Sequence, residues 1–243
     1  MNNDTRFSCL GEDEIFRHIS TKASLKSMCE SLIKDSRKSF GWHMQQFIKL
    51  GVARHLIHLS SQYVVFDADN ILIYPYSLIS DDRRIFLPYK EDDLKIHYEV
   101  FYQKALGTKI PDRNYVIGHM VMEKAIVNEM LDVIDSRWNG TFPTSICNVA
   151  KNFHMGQLNT YFSEYFFYAS WLKEKHPEKV ASEYYWHPTR NPASYQEKAW
   201  RGDCCVRHET VCNSYRNWQD FYVIIEEHKF RYRDKVCNDG WRL

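Results

Sequence analysis

An unbroken apolar run, Tyr63-Val64-Val65-Phe66, stops abruptly at Asp67-Ala68-Asp69, and the chain becomes apolar again at Ile71. All four residues of the run favour extended backbone, and an apolar run without alternation predicts a central strand covered on both faces. Asp67 and Asp69 then stand at the carboxyl end of that strand, the edge at which open α/β sheets bind ligands. A carboxylate pair at this edge can hold a divalent cation against a phosphorylated substrate. Aspartate is common enough in this chain for one Asp-x-Asp to arise by chance, so the weight rests on the strand context. The competing reading is an Asp-Asn turn whose side chains cap backbone N–H groups.

Composition narrows the class. With 243 residues, 44% apolar and 15% aromatic, the chain can bury a large core as one domain or one domain with a subdomain. The 32 basic and 31 acidic side chains leave a net charge of +1. That gives no general field for nucleic acid, so an anionic ligand has to be held locally. No apolar stretch approaches the roughly 18 residues of a membrane span, and the polar start lacks a signal pattern, which predicts a cytoplasmic protein. Seven cysteines, an odd number without framework spacing, favour reduced thiols over a disulfide scaffold.

Periodicity supplies a coarse map. Residues 12–37 read as one or two helices, and residues 42–60 as the best-patterned helix, with Met44, Phe47, Ile48, Ala53 and Leu56 on one face. Further helices are expected at 91–106, 123–134 and 163–175, the last ending near His176-Pro177 because proline cannot continue the ladder. Residues 115–117 read as a strand or turn and residues 184–186 as a short strand, while 215–233 fits either a helix or a strand pair.

Four blocks in order carry a resemblance: Gly41-Trp42 with Gln45-Gln46 and Lys49-Leu50; the strand ending in Asp67-Ala68-Asp69; Gly118-His119-Met120; and Phe162-Ser163-Glu164-Tyr165. Together they resemble an uncharacterised bacterial and viral family of nucleotide-diphospho-sugar transferase-like proteins, over roughly residues 40–190. The resemblance implies a GT-A fold, a Rossmann-like α/β sandwich, and a metal-dependent glycosyltransferase that moves a sugar from a nucleotide-sugar donor to a glycan or other hydroxyl acceptor. It also implies Mn²⁺ or Mg²⁺ as cofactor. The chain is then one GT-A-like domain over 1–243, with a helical region at 1–40, a family-like core at 41–190 and an irregular, aromatic part at 191–243. GT-A enzymes usually open with a β-α-β nucleotide-binding unit, and here that unit is reduced. A truncated or split form, and a homo-oligomer or partner chain completing the N-terminal part, are the alternatives to a reduced pocket.

Within this reading Asp67 and Asp69 are the metal-site candidates, joined by His187 as a third ligand. Carboxylate oxygens suit hard Mg²⁺ or Mn²⁺, which stabilise charge on a departing diphosphate. Glu164 is the candidate general base, since a carboxylate among aromatic residues can hold its proton to near neutral pH. Its plain alternative is a first-turn acid behind an N-cap at Ser163. Gln45 and Lys49 share a helix face at i, i+4, and with Gln46, His119 and Trp186 they are candidates for donor or acceptor contacts. A solvated face is the alternative for the first group, a structural role for His119 and core packing for Trp186.

Two other classes stay open. One is a catalytically degenerate protein of the same fold that binds a sugar nucleotide or a partner without turnover. The other is a zinc-supported module built on Cys204, Cys205, His208 and Cys212, although this spacing matches no well-specified finger. The chain has no phosphate loop of the Gly-x₄-Gly-Lys-Ser/Thr kind and no Gly-x-Ser-x-Gly elbow, which lowers the phosphotransferase and hydrolase readings.

Overall fold

The computed structural model describes residues 12–16, 22–30, 40–67, 70–72, 77–90, 96–109, 112–152, 162–185 and 205–207. Their order is α1 (Glu12–Phe16), α2 (Lys22–Met28), α3 (Phe40–His55), β1 (Gln62–Phe66), β2 (Asn70–Leu72), β3 (Ile85–Tyr89), α4 (Ile96–Leu106), β4 (His119–Glu123), α5 (Lys124–Trp138), α6 (Thr144–Asn152), α7 (Glu164–Lys175), a 3₁₀ turn (Pro177–Lys179), β5 (Val180–Tyr185) and β6 (Cys205–Arg207). The architecture is mixed α/β.

Helices α3, α5 and α7 pack against one another, with α4 and α6 on α5 and α1 on α3. Aromatic rings fill the space between them. Phe47 of α3 lies 5.8 Å from both Phe142 and Phe162, and Phe162 lies 4.8 Å edge-on from Phe167 of α7. Edge contacts of this kind add to the burial of the rings themselves. Gly51 on α3 faces the Phe16 ring of α1, and a Cβ there would stand 2.6 Å from that ring. The missing side chain is what lets α1 seat.

The described strands form three pairs: β1 with β4 antiparallel, β2 with β6 antiparallel, and β3 with β5 parallel. Tyr63 and Val65 of β1 are buried, whereas Val64 and Phe66 are 48% and 36% exposed. The expected central strand, covered on both faces, is therefore corrected to a strand with one covered face. Valine and phenylalanine favour extended backbone whichever face they occupy, so the apolar run concealed the alternation.

The register of β1 on β4 runs from Gln62 opposite Glu123 to Phe66 opposite His119. It continues one step further, because the Asp67 N–H donates to the Gly118 carbonyl at 2.8 Å. The Asp67 backbone is thus fixed by the Gly118-His119-Met120 block. At the other end the Lys124 N–H donates to the Ser61 carbonyl at 2.8 Å, where β4 runs directly into α5.

Several boundaries move. Residues 119–123 form β4, so the helix expected from 123 starts at Lys124, and it continues past 134 to Trp138. Residues 115–117 are not a strand, and the strand expected at 184–186 is the end of β5. Residues 215–233 and Trp186 lie outside the described residues. Helix α6 was not foreseen, although Ile146, Val149 and Ala150 carry helical spacing and are buried.

Cys29, just after α2, and Cys147 of α6 form a disulfide with a Cα–Cα distance of 4.9 Å, within the usual range. Both residues are buried. The expectation of reduced thiols is corrected for this pair. An odd count cannot reveal which two of seven cysteines the fold brings together, and cysteine usage no longer supports a cytoplasmic location. Among the described residues no helix is long and apolar enough to cross a membrane.

Candidate functional site

Asp67 follows the last residue of β1 and is half-buried. Lys49, near the middle of α3, extends its ammonium to Asp67 Oδ1 at 2.5 Å and to Glu164 Oε1 at 2.7 Å. One cation thus bridges the end of a strand and the first turn of α7. Tyr165 donates its hydroxyl to the same Asp67 Oδ1 at 2.9 Å, and its ring centre lies 4.6 Å from the Lys49 ammonium. The cation therefore has two carboxylates and an aromatic face around it, a combination that suits a partly desolvated ammonium.

Helix α7 sets the Glu164–Tyr165 half of this arrangement. Ser163 is the N-cap, and its hydroxyl accepts the Phe166 N–H at 3.4 Å. Glu164 follows in the first turn, where the positive end of the helix favours a carboxylate. The capping and site readings of this block hold together, because the cap orients the residue that meets Lys49. The Glu164 side chain is only 1% exposed. Gln46, one turn before Lys49, abuts it, and its side-chain oxygen accepts the Glu164 N–H at 3.3 Å.

Burial pushes the Glu164 carboxyl above its ordinary value, and the Lys49 ammonium only partly offsets this. For Lys49, burial works to lower its proton affinity, but Glu164 and Asp67 together outweigh it and raise the net value. With all three groups ionised, two carboxylates face one ammonium and one negative charge is left over. A further cation or a proton is favoured here.

His119 is fully buried on β4, with its ring centre 5.9 Å from that of Phe66. Its Nε2 lies 3.0 Å from the Tyr184 hydroxyl of β5. Burial lowers its pKa to about 4, with Asp67 pulling the other way. The ring is therefore neutral at pH 7 and supports the floor under Asp67.

Of the residues expected in a site, Gln46, Lys49, Asp67 and Glu164 are brought together, and His119 lies beneath them. Gln45, on the same helix, is exposed and stands apart from this cluster. The face that points inward carries positions 46 and 49, because the buried stripe of α3 includes Met44, Phe47 and Leu50. Asp69, Trp186 and His187 lie outside the described residues, as do Cys204, His208 and Cys212 of the zinc alternative. Trp171 is buried, with its indole N–H on Glu129 at 3.2 Å.

Tyr165 and Tyr184 were missed as partners of Asp67 and His119. Tyr165 sits inside the block that carried Glu164, so the signal was its adjacency; nothing near Tyr184 announces a contact with His119, which lies 65 positions away.

Among the described residues no group of three or more His, Cys, Asp or Glu side chains is placed to hold a metal ion. Asp67 supplies one hard oxygen ligand of the kind Mg²⁺ and Mn²⁺ take. That carboxylate already serves the Lys49 ammonium, so a divalent ion fits at Asp67 only where the ammonium gives way.

Residues 3–230 match the model of a family of unknown function, DUF6492. No curated protein matches the chain, and no solved structure does.

Proposed function

We propose that this chain, which belongs to the DUF6492 family, transfers a sugar from a nucleoside-diphosphate donor to a hydroxyl acceptor within a GT-A-like arrangement. The observation that carries the reading is the convergence of Lys49, Asp67 and Glu164 on one another at the end of β1. They come from three sequence blocks 18 and 115 positions apart from Lys49. A site that accepts a diphosphate needs a fixed cation, and transfer to a hydroxyl needs a base whose proton affinity lies near neutral pH. Lys49 supplies the cation, and Glu164 supplies a carboxylate whose proton affinity burial raises above its ordinary value.

In the proposed reaction the acceptor oxygen bonds to the anomeric carbon as the bond from that carbon to the diphosphate breaks, and the diphosphate leaves with the electron pair. Glu164 takes the proton of the acceptor hydroxyl. Lys49 moves from the carboxylates onto the diphosphate oxygens, which uncovers the Glu164 oxygen it had occupied. A divalent ion held by Asp67, with Asp69 and His187 as the further ligands expected from sequence, would supply Lewis-acid neutralisation of the leaving group.

The burial of Glu164 favours a second reading, in which the protein binds a sugar nucleotide without turnover and Glu164 only anchors Lys49. A thermal-shift screen of UDP-, GDP-, CMP- and dTDP-sugars with and without Mn²⁺, run beside release of nucleoside diphosphate, separates the two. A donor at about 100 times its dissociation constant stabilises the native state by roughly 2.7 kcal/mol. The transferase reading expects a shift that is lost in the Asp67→Ala/Asp69→Ala variant, together with diphosphate release. A shift without release selects the binding reading. Absence of both for every donor overturns the proposal.

A further inference from the structure

We infer that Asn139 is a site of spontaneous covalent modification, at which the side-chain amide is lost to attack by the backbone nitrogen of Gly140, and that the fold itself calls for the two residues that allow it. This chemistry is independent of the proposed transfer reaction.

Each residue of the pair is selected by a different contact. Asn139 closes α5 in the left-handed conformation, with φ 46° and ψ 58°, and its N–H donates to the Asp135 carbonyl. Glycine and, after it, asparagine are the residues that end helices in this way, because most side chains are strained there. Position 140 lies against the start of α6. A Cβ on Gly140 would stand 3.0 Å from the Ser145 nitrogen and 3.1 Å from the Ser145 Cα. Those are backbone atoms of a fully buried residue, so they leave little room for any side chain at 140. An Asn-Gly pair at the turn between α5 and α6 is the result, and the chain contains no other.

The side-chain carbonyl carbon of an asparagine lies one five-membered ring away from the nitrogen of the next residue. Once the Gly140 nitrogen has given its proton to a base in solvent, it bonds to Cγ of Asn139. The bond from Cγ to Nδ2 breaks, and the amide nitrogen leaves as ammonia with a proton from water. Water then opens the cyclic imide at one of its two ring carbonyls, which leaves an aspartyl or an isoaspartyl linkage at 139. A side chain on the attacking residue crowds ring closure, and glycine has none.

The Asn139 side chain is exposed, so water and base reach it. What restrains the reaction is the helix end. The Gly140 N–H donates to the same Asp135 carbonyl at 3.3 Å, longer than an ordinary N–H···O bond. Ring closure needs that nitrogen released and the backbone at 139 turned out of the left-handed region. Helix ends fray, so opening of the last turn is sufficient and the core stays folded. The other described asparagines lack this combination: Asn70, Asn114, Asn128, Asn148 and Asn152 all precede residues with side chains.

The test incubates folded wild type and Asn139→Gly in heavy-oxygen water at neutral and mildly alkaline pH, followed by peptide mass spectrometry. Asn139→Gly keeps a residue suited to the left-handed cap and has no amide to lose. Wild type unfolded in urea shows that the conversion is detectable. The expected result is that label enters the folded wild-type peptide spanning 138–141 in two chromatographically distinct forms, ahead of the peptides carrying Asn128 and Asn148, and faster at the higher pH. The same peptide of Asn139→Gly should gain none. Label that enters in urea but not in the folded protein, or that enters no faster than at Asn128 and Asn148, overturns the inference. The comparison within wild type decides the matter even where the variant fails to fold.

Discussion

His119 illustrates what enclosure does to a titratable side chain. Imidazole ordinarily takes up a proton near pH 6.5, but inside the protein the charged form loses its hydration, and the value falls to about 4. The unfolded chain therefore binds a proton over the interval between those two values, while the folded chain does not. Stability contributed by this residue is fully present above pH 6.5 and is lost as the pH falls toward 4. The loss amounts to about 3 kcal/mol. His119→Gln keeps a hydrogen-bonding group for Tyr184 and cannot titrate. Urea unfolding of both proteins at intervals from pH 7 to pH 4, with chelator present, should show the wild type losing that much more stability than the variant. Parallel pH profiles would mean that the folded protein admits a charged imidazole. At this scale much of the site was legible in the sequence. Asp67 was marked by the end of an apolar run, and Lys49, Gln46 and Glu164 by their blocks. The choice of Gln46 over Gln45 was not legible, because two adjacent glutamines differ only in which side of α3 faces α7, and that depends on how the helices dock.

Between elements, the closest approach in the core is the seat of α1 on α3. Phe16 is fully buried, and its ring edge lies where a side chain at position 51 would begin. Alanine is the better helix former by about 1 kcal/mol, so at an open helical site Gly51→Ala would stabilise. Here the added methyl would stand 2.6 Å from Phe16 Cε1 and 2.7 Å from Cζ, with the Phe142 ring 3.7 Å behind. A ring enclosed on all sides can give way only by pushing α1 outward, and overpacking of this kind costs about 1–3 kcal/mol. The net expectation is destabilisation by about 1–2 kcal/mol in chemical denaturation, with Phe16→Leu/Gly51→Ala recovering part of the loss. A Gly51→Ala protein more stable than wild type would show that α1 is not seated on α3 in solution. Helix α3 itself was readable, since its apolar residues recur at helical spacing. What made Gly51 a contact point was not, because a glycine within a helical pattern looks the same whether it faces solvent or a neighbouring ring.

For the molecule as a whole, a covalent link joins Cys29 to Cys147, 118 positions apart. It ties the segment after α2 to α6, two elements distant in sequence that pack against each other. Cross-linking a chain at this separation removes conformational freedom from the unfolded state, and the loop-entropy relation puts the effect at about 5 kcal/mol before any native strain. Both sulfurs are buried, so reduction requires opening of the surrounding structure and should be slow while the protein stays folded. The pairing was not legible in sequence for the same reason that Tyr184 was not linked to His119: contacts between distant positions are decided by how helices and strands dock, and no local pattern records that. Intact-mass analysis after alkylation of the purified protein under denaturing conditions should show two thiols protected, with a peptide linking residues 29 and 147. Cys29→Ser/Cys147→Ser should lower the midpoint of urea unfolding, and dithiothreitol should lower that of wild type toward the variant's while leaving the variant unchanged. If all seven cysteines alkylate without reductant, the two ends are held by packing alone, and the variant's midpoint should then differ from that of wild type only by the cost of placing two hydroxyls in an apolar setting.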